Sequence, residues 1–137
     1  MSAPGRRRDE RGTATAFVVG MSVTLLACAG LVVDGGTAIN ARMKLADEVE
    51  QAARAGAQQI DVDTLRATGT LQLDRGAAEQ AARTFIGGRG YSGGAVAVDA
   101  DTVTVTADEV VETTLLTLIG IRTFEVSATA TAEAATQ

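Results

Sequence analysis

From Thr13 to Val33 the chain reads TATAFVVGMSVTLLACAGLVV, a run of apolar and small uncharged positions without one charged side chain. At about 1.5 Å rise per residue, a helix of that length covers the roughly 30 Å hydrocarbon core of a bilayer. One segment cannot close a barrel, so only a helix, whose backbone groups bond internally, is suited to crossing. The pattern then changes at Asp34-Gly35-Gly36. Two successive glycines weaken a helix and Asp favours caps, which predicts a local break with Gly35 and Gly36 as a hinge. Beyond it, Ile39, Met43, Ala46, Val49, Ala53, Ala57 and Ile60 recur at spacings of three or four, while Arg42, Lys44, Asp47, Glu48 and Arg54 fall mostly elsewhere. This predicts an amphipathic helix over residues 37–60 with a narrow, small-residue face.

Residues 61–74 read as a connection carrying at most a short strand at Leu71-Gln72-Leu73. Asp74 is placed to N-cap a second helix over 75–86, with Ala78, Ala81, Ala82 and Phe85 as its apolar face. Glycine-rich sequence from Gly87 to Gly94 ends it. Residues 95–100 and 102–107 alternate with period two, and Asp99-Ala100-Asp101 predicts a hairpin between them. Val110-Val111 are expected to extend the second strand past a bulge. A short apolar helix or turn follows over 113–119, ended by Gly120. Then Phe124, Val126, Ala128, Ala130 and Ala132 alternate with Glu125, Ser127, Thr129 and Thr131. The fold class predicted is α+β: a transmembrane helix (13–33) continuing into a long exported helix (34–60), then a small domain (61–137). That domain combines a second helix with an antiparallel sheet of three or four strands, covered by helices on one side.

Charge adds direction to this picture. Residues 1–12 carry Arg6, Arg7, Arg8 and Arg11 against Asp9 and Glu10, a net of +2. Residues 34–137 carry eight basic and fifteen acidic side chains, a net of −7. The positive-inside rule therefore makes the four Arg residues topology determinants, with residues 1–12 as a cytoplasmic segment and residues 34–137 on the far side of a plasma membrane. Arg6-Arg7-Arg8 also has the look of a twin-arginine export signal, but Asp9 and Glu10 stand where such a signal is apolar. Cleavage readings compete with a permanent anchor. Ala27-Cys28-Ala29 has the small-x-small form of a signal-peptidase site, and Leu25-Leu26-Ala27-Cys28 loosely resembles a lipobox; either would release or lipidate the protein near Cys28. The apolar run continues past both through Leu31, Val32 and Val33, which favours the spanning helix and a plain apolar role for Cys28. Within the span Ala16, Gly20, Thr24 and Cys28 recur every four residues. Such a small-residue stripe lets helices approach closely in lipid, and predicts a membrane partner.

Composition limits the chemistry. With no His and one Cys in 137 residues, the commonest general base, the commonest metal ligand and intramolecular disulfides are all missing. No Gly-x-Ser-x-Gly elbow occurs. Asp61-x-Asp63 and Asp99-x-Asp101 lack the turn glycine and bidentate Glu of a calcium loop, and read as solvated turn residues. The Gly87–Gly94 loop follows a helix and feeds a strand, the reverse of a phosphate-binding loop. An acidic chain also argues against a nucleic-acid partner. No enzyme, no cofactor and no metal are expected.

The short motifs also occur in a familiar order. Arg8-Asp9-Glu10-Arg11-Gly12 leads into the span, Ala29-Gly30-Leu31-Val32-Val33-Asp34-Gly35-Gly36 leaves it, and the next helix ends Glu50-Gln51-Ala52-Ala53-Arg54-Ala55-Gly56-Ala57. Over roughly its first 60 residues the chain resembles the TadE/TadG-like proteins of the tight-adherence (Flp) pilus assembly system. Thr113-Thr114-Leu115-Leu116-Thr117-Leu118-Ile119-Gly120-Ile121 with its following Thr/Ala strand is similar to short members of that group. The resemblance implies a membrane-anchored pseudopilin or minor pilus component, packing with other pilin-like membrane proteins through its N-terminal helix as a homo- or hetero-oligomer. Pseudopilin-type members are cut after a Gly, with Glu at the fifth mature position; here the corresponding junction is Gly12–Thr13, and Phe17 occupies that place. The alternative is an exported binding module for which the helix is a tether, in which case residues 37–137 alone would bind.

Overall fold

A computed structural model describes residues 10–135, with side chains from Gly12 onward. Its elements are α1 (Glu10–Ala57), α2 (Val62–Thr68), α3 (Arg75–Gly87), β1 (Gly93–Val98), β2 (Thr102–Glu112), a 3-10 turn (Leu116–Ile119) and β3 (Thr123–Glu133). The fold class is α+β, with a long apolar N-terminal helix and a three-stranded antiparallel sheet. The chain divides into two units. One holds the described residues up to Gly36 together with Thr113–Arg122; the other holds Thr37–Glu112 and the described residues from Thr123.

The second unit contains the sheet, ordered β1-β2-β3. The register of β2 on β3 is uninterrupted from Thr102 opposite Glu133 to Glu112 opposite Thr123. The bulge expected at Val110-Val111 is therefore absent: strict alternation continues, leaving Val110 exposed and Val111 half-buried. Val103, Val105 and Ala107 of the central strand are fully buried, paired with Ala132, Ala130 and Ala128. On the opposite face Thr104 and Thr106 meet Thr131 and Thr129 in hydroxyl–hydroxyl hydrogen bonds of 2.8 and 3.0 Å. One face is thus aliphatic and the other a threonine ladder, so helices cover only the first.

Those helices are the C-terminal part of α1 and α3. Leu45, Val49, Ala52, Ala53 and Ala57 share a core with Ala78 and Ala82 of α3, the buried sheet residues, and Leu73. The buried face of α1 agrees with the predicted one from Val49 on, where Val49, Ala53 and Ala57 are buried, and departs from it before that: Ala38, Ala41 and Leu45 turn inward, whereas Ile39, Met43 and Ala46 are exposed. In an Ala-rich helix several stripes are equally small, and packing chose the one that lets β2 approach. A Cβ at Gly56 would lie 3.0 Å from the Ala78 carbonyl oxygen and 3.0 Å from a Val103 methyl, so only glycine admits this contact without adjustment.

Two local features settle the segment 61–74. Asp61 caps a seven-residue helix, accepting from the Asp63 and Thr64 amides at 3.1 and 3.0 Å and from the Thr64 hydroxyl at 2.7 Å. These donors, those of Thr64 foremost, hold its carboxyl below the ordinary carboxylate range against the opposing effect of desolvation. The connection predicted there thus includes a helix, α2, and the strand expected at 71–73 reduces to one bridge between Ile60 and Leu73. Asp74 caps α3 as predicted, accepting from the Ala77 amide at 3.1 Å.

Candidate functional site

In the first unit, α1 carries the uncharged run as continuous helix, long and apolar enough to cross a membrane. Phe17, Val18, Val19, Leu25, Leu26, Leu31 and Val32 are all exposed. Outward apolar surface of this kind suits a helix in contact with lipid. Two hydroxyls in its middle turn back on the backbone. Ser22 donates to the Val18 carbonyl at 2.8 Å and Thr24 to the Gly20 carbonyl at 2.9 Å. Neither then adds an unsatisfied polar group to the span.

Ala16, Gly20, Thr24 and Cys28 are all exposed. Ala16, Gly20 and Thr24, with Phe17 and Met21, line an open hollow of about 430 Å³. Gly12 and Thr13 lie in the first turns of α1, both exposed. Arg6, Arg7 and Arg8 lie outside the described residues, and Arg11 is described only as helical backbone. Gly35 and Gly36 are helical, with no atom within 4 Å of a Cβ at either. The local break expected at Asp34-Gly35-Gly36 is therefore not a break in the backbone hydrogen bonding. Helix runs long on both sides, and a penalty of about 1 kcal/mol per glycine does not interrupt it.

Asp34 does not cap its own helix, because its oxygens are engaged elsewhere. Its carboxylate accepts the backbone N–H groups of Thr114 at 3.0 Å, Leu115 at 2.9 Å and Leu116 at 2.7 Å. It is only 2% exposed. The Leu116 amide is the strongest influence holding its carboxyl below the ordinary range; desolvation opposes it, and the other two amides add to the lowering. The turn that supplies these donors is itself closed. The Thr113 amide donates to the Arg122 carbonyl at 2.9 Å, and its hydroxyl to the Ile121 carbonyl at 2.5 Å. Thr117 donates to the Thr113 carbonyl at 2.8 Å. Gly120 ends the 3-10 turn in the left-handed region, at φ 92°.

One turn of α1 earlier, Gly30 makes room for this segment. A Cβ there would stand 3.2 Å from Leu115 Cβ and 3.3 Å from Leu116 Cδ2. Gly30 and Asp34 lie about 40° apart around the helix and Cys28 about 160° from Gly30, at 100° per residue. The docked turn therefore leaves Cys28 uncovered. Sequence reasoning named neither Gly30 nor Asp34 as a site. The available signal was a Gly and an Asp four residues apart at the end of a charge-free run, a spacing that places them on one face.

Among the described residues no group of three His, Cys, Asp or Glu side chains is placed to hold a metal ion. In the second unit the glycine-rich segment after α3 has a structural use. Arg89 lies 3.1 Å from Glu48 Oε2 and 4.4 Å from the Phe85 ring centre, tying the loop to α1 and α3 by charge and cation–π contact.

Residues 12–59 match the family model described as "Putative Flp pilus-assembly TadE/G-like". The match covers the uncharged run, Gly30, Asp34 and the rest of α1 after them, ending two residues past the helix at Gln59; the turn at 113–122 and the sheet lie outside it. No curated protein and no solved structure matches the chain.

Proposed function

We propose that this protein is a minor-pilin- or pseudopilin-like component of a Flp/Tad-type pilus or secretion assembly, without catalytic activity. It is anchored in the plasma membrane by one pass of α1, with the Arg-rich segment in the cytoplasm and the sheet unit outside. The observation that carries the proposal is the coincidence of the TadE/G-like match with a helix whose apolar surface is almost wholly uncovered. Two further features support it. The small residues Ala16, Gly20 and Thr24 line an unfilled hollow, the kind of surface that packs against another helix in lipid. Beyond the span, Ile39 and Met43 sit one turn apart on α1, both exposed, so apolar surface for a neighbouring chain continues outside the membrane.

Cys28 is the sole cysteine, exposed and clear of the docked turn. Oxidative crosslinking in native membranes, followed by mass spectrometry of the adducts, is the direct test. The proposal expects Cys28 to capture another copy or a pilin-like membrane protein. Recovery solely of monomer, together with an N-terminus at or after Cys28, would refute it. The intact mass also locates the N-terminus: a start at Thr13 marks pilin-type processing, and an earlier start marks an uncleaved anchor.

A further inference from the structure

We propose that the turn between β2 and β3 is a second membrane element, dipping Leu118, Ile119 and Ile121 into the acyl-chain region of the leaflet on the exported side. The inference rests on the membrane-spanning reading of α1.

The turn is unusually apolar for an exposed connection. Residues 113–121 contain no charged side chain. Leu118 is 80% exposed, and Ile119 and Ile121 are exposed beside it. In water, three large aliphatic side chains at a loop tip are a cost without return. Their location supplies the occupant. Leu115, Leu116, Leu118 and Ile119 line an almost wholly apolar cavity of about 250 Å³ together with Val23, Leu26, Ala27 and Ala29 of the span. Along the helix axis Ala29 and Val23 lie about 6 and 15 Å short of Val33. Side chains that share a cavity with them stand at the depth of the outer leaflet.

Irregular backbone is normally excluded from lipid because its polar groups go unpaired. This turn meets much of that objection internally. Asp34 takes the amides of Thr114, Leu115 and Leu116. The amides of Leu118, Gly120 and Ile121 bond to the carbonyls of Leu115, Thr117 and Leu116. The hydroxyls of Thr113 and Thr117 bond to the carbonyls of Ile121 and Thr113. Arg122 follows at once, a side chain whose apolar stem can lie in the interface with its charge in the headgroups. An acceptor with several lone pairs, sealed beneath the turn, removes donors that would otherwise demand water. A loop intended for solvent has no need of it.

The chain has no Trp, so single Trp variants of the full-length protein report depth without background. Leu118→Trp and Ile119→Trp probe the turn at exposed positions, Phe17→Trp the span, and Thr104→Trp the sheet's polar face. Each is reconstituted in phosphatidylcholine/phosphatidylglycerol vesicles with acyl-brominated lipid, and quenching is compared with that by aqueous acrylamide. The expected result is a blue shift and loss of emission for both turn variants comparable with Phe17→Trp, with Thr104→Trp quenched by acrylamide alone. Bromolipid quenching of Phe17→Trp alongside acrylamide quenching of both turn variants overturns the inference and leaves the span standing. Absence of bromolipid quenching at Phe17→Trp removes the span reading itself. Turn variants shielded from both quenchers place another protein chain over the tip, which also overturns the lipid assignment.

Discussion

Gly56→Ala and Gly36→Ala make the same chemical change in one helix and are expected to act in opposite directions. In an open helix interior, Ala is favoured over Gly by about 1 kcal/mol. Gly36 is such a site, with nothing within 4 Å of an added Cβ. At Gly56 the new methyl would meet the Ala78 carbonyl oxygen at 3.0 Å and two Val103 methyls at 3.0 and 3.2 Å, against an ordinary carbon–carbon separation of about 3.5–4.0 Å. The Ala78 oxygen is backbone within α3, and Val103 is fully buried on the central strand, so neither can swing away. Overpacking of this kind costs about 1–3 kcal/mol. With both neighbours fixed, the middle of that range, about 2 kcal/mol, set against the helix-propensity gain leaves a net loss of about 1 kcal/mol. For a unit of about 90 residues, that corresponds to a fall in Tm of roughly 4–8 °C. The full chain in detergent, followed by circular dichroism on heating and by amide exchange of β2, supplies the assay. A Gly56→Ala protein as stable as the parent, or more so, would refute the packing of α1 on β2 described above. A Gly36→Ala protein less stable than the parent would show that the helix at that point does not run as assigned.

Acid should loosen the turn at 113–122 specifically. The fold lowers the Asp34 carboxyl, so the stability it contributes is complete above the ordinary carboxylate value of about 3.9 and disappears as pH falls through the lowered one. Amide exchange of Thr114, Leu115 and Leu116 should therefore be flat between about pH 5 and 7, the chain having no His, after correction for intrinsic rates. Protection should fail only below about pH 4; loss near neutrality would contradict the assignment. Gly30→Leu should displace the same turn, since even a Cβ stands 3.2 Å from Leu115 Cβ; exchange should rise at 113–122 and stay unchanged in β1. Gly20→Leu or Thr24→Leu should weaken self- or hetero-association in membranes several-fold, in keeping with packing energies of about 1 kcal/mol per contact. Val19→Leu is the comparison, and an equal effect from it would remove the small-residue stripe from the interface.

The parts of the fold legible in the sequence were those fixed by local physics. A run of 21 uncharged residues can be read without tertiary knowledge, as can the alternation of Val103 and Val105 with Thr104 and Thr106. Asp74 announces α3 because the cap bond spans three residues. Reading failed where the decision was made by a distant partner. The inward face of α1 could be read from spacing at Val49, Ala53 and Ala57 but not before them, where Ala38, Ala41 and Leu45 rather than Ile39, Met43 and Ala46 turn inward; alanines occupy nearly every stripe, and packing made the choice. α2 was missed because seven residues offer too little periodicity, although Asp61 followed by Thr64 is a cap signature. Asp34 looked like a cap for the helix after Gly36, and instead serves amides some 80 positions later in the chain. No window along the sequence contains both halves of that interaction.

That long-range pairing joins two separate stretches of the sequence, of which the first lies within the family match and the second outside it. The segment Ala29–Gly36 and the segment Thr113–Ile121 stand far apart in the chain but meet within one unit. Gly30 gives the leucines room, Asp34 receives the amides, and the turn presents Leu118, Ile119 and Ile121 outward. An acidic residue at the edge of a span is costly when left unpaired. Here its charge is satisfied by three backbone donors that would themselves be a liability near lipid. Each half removes the other's penalty. The apolar tip goes with the pairing: three of the turn's amides are closed on Asp34, and Leu118, Ile119 and Ile121 face outward beside the apolar surface of the uncharged run.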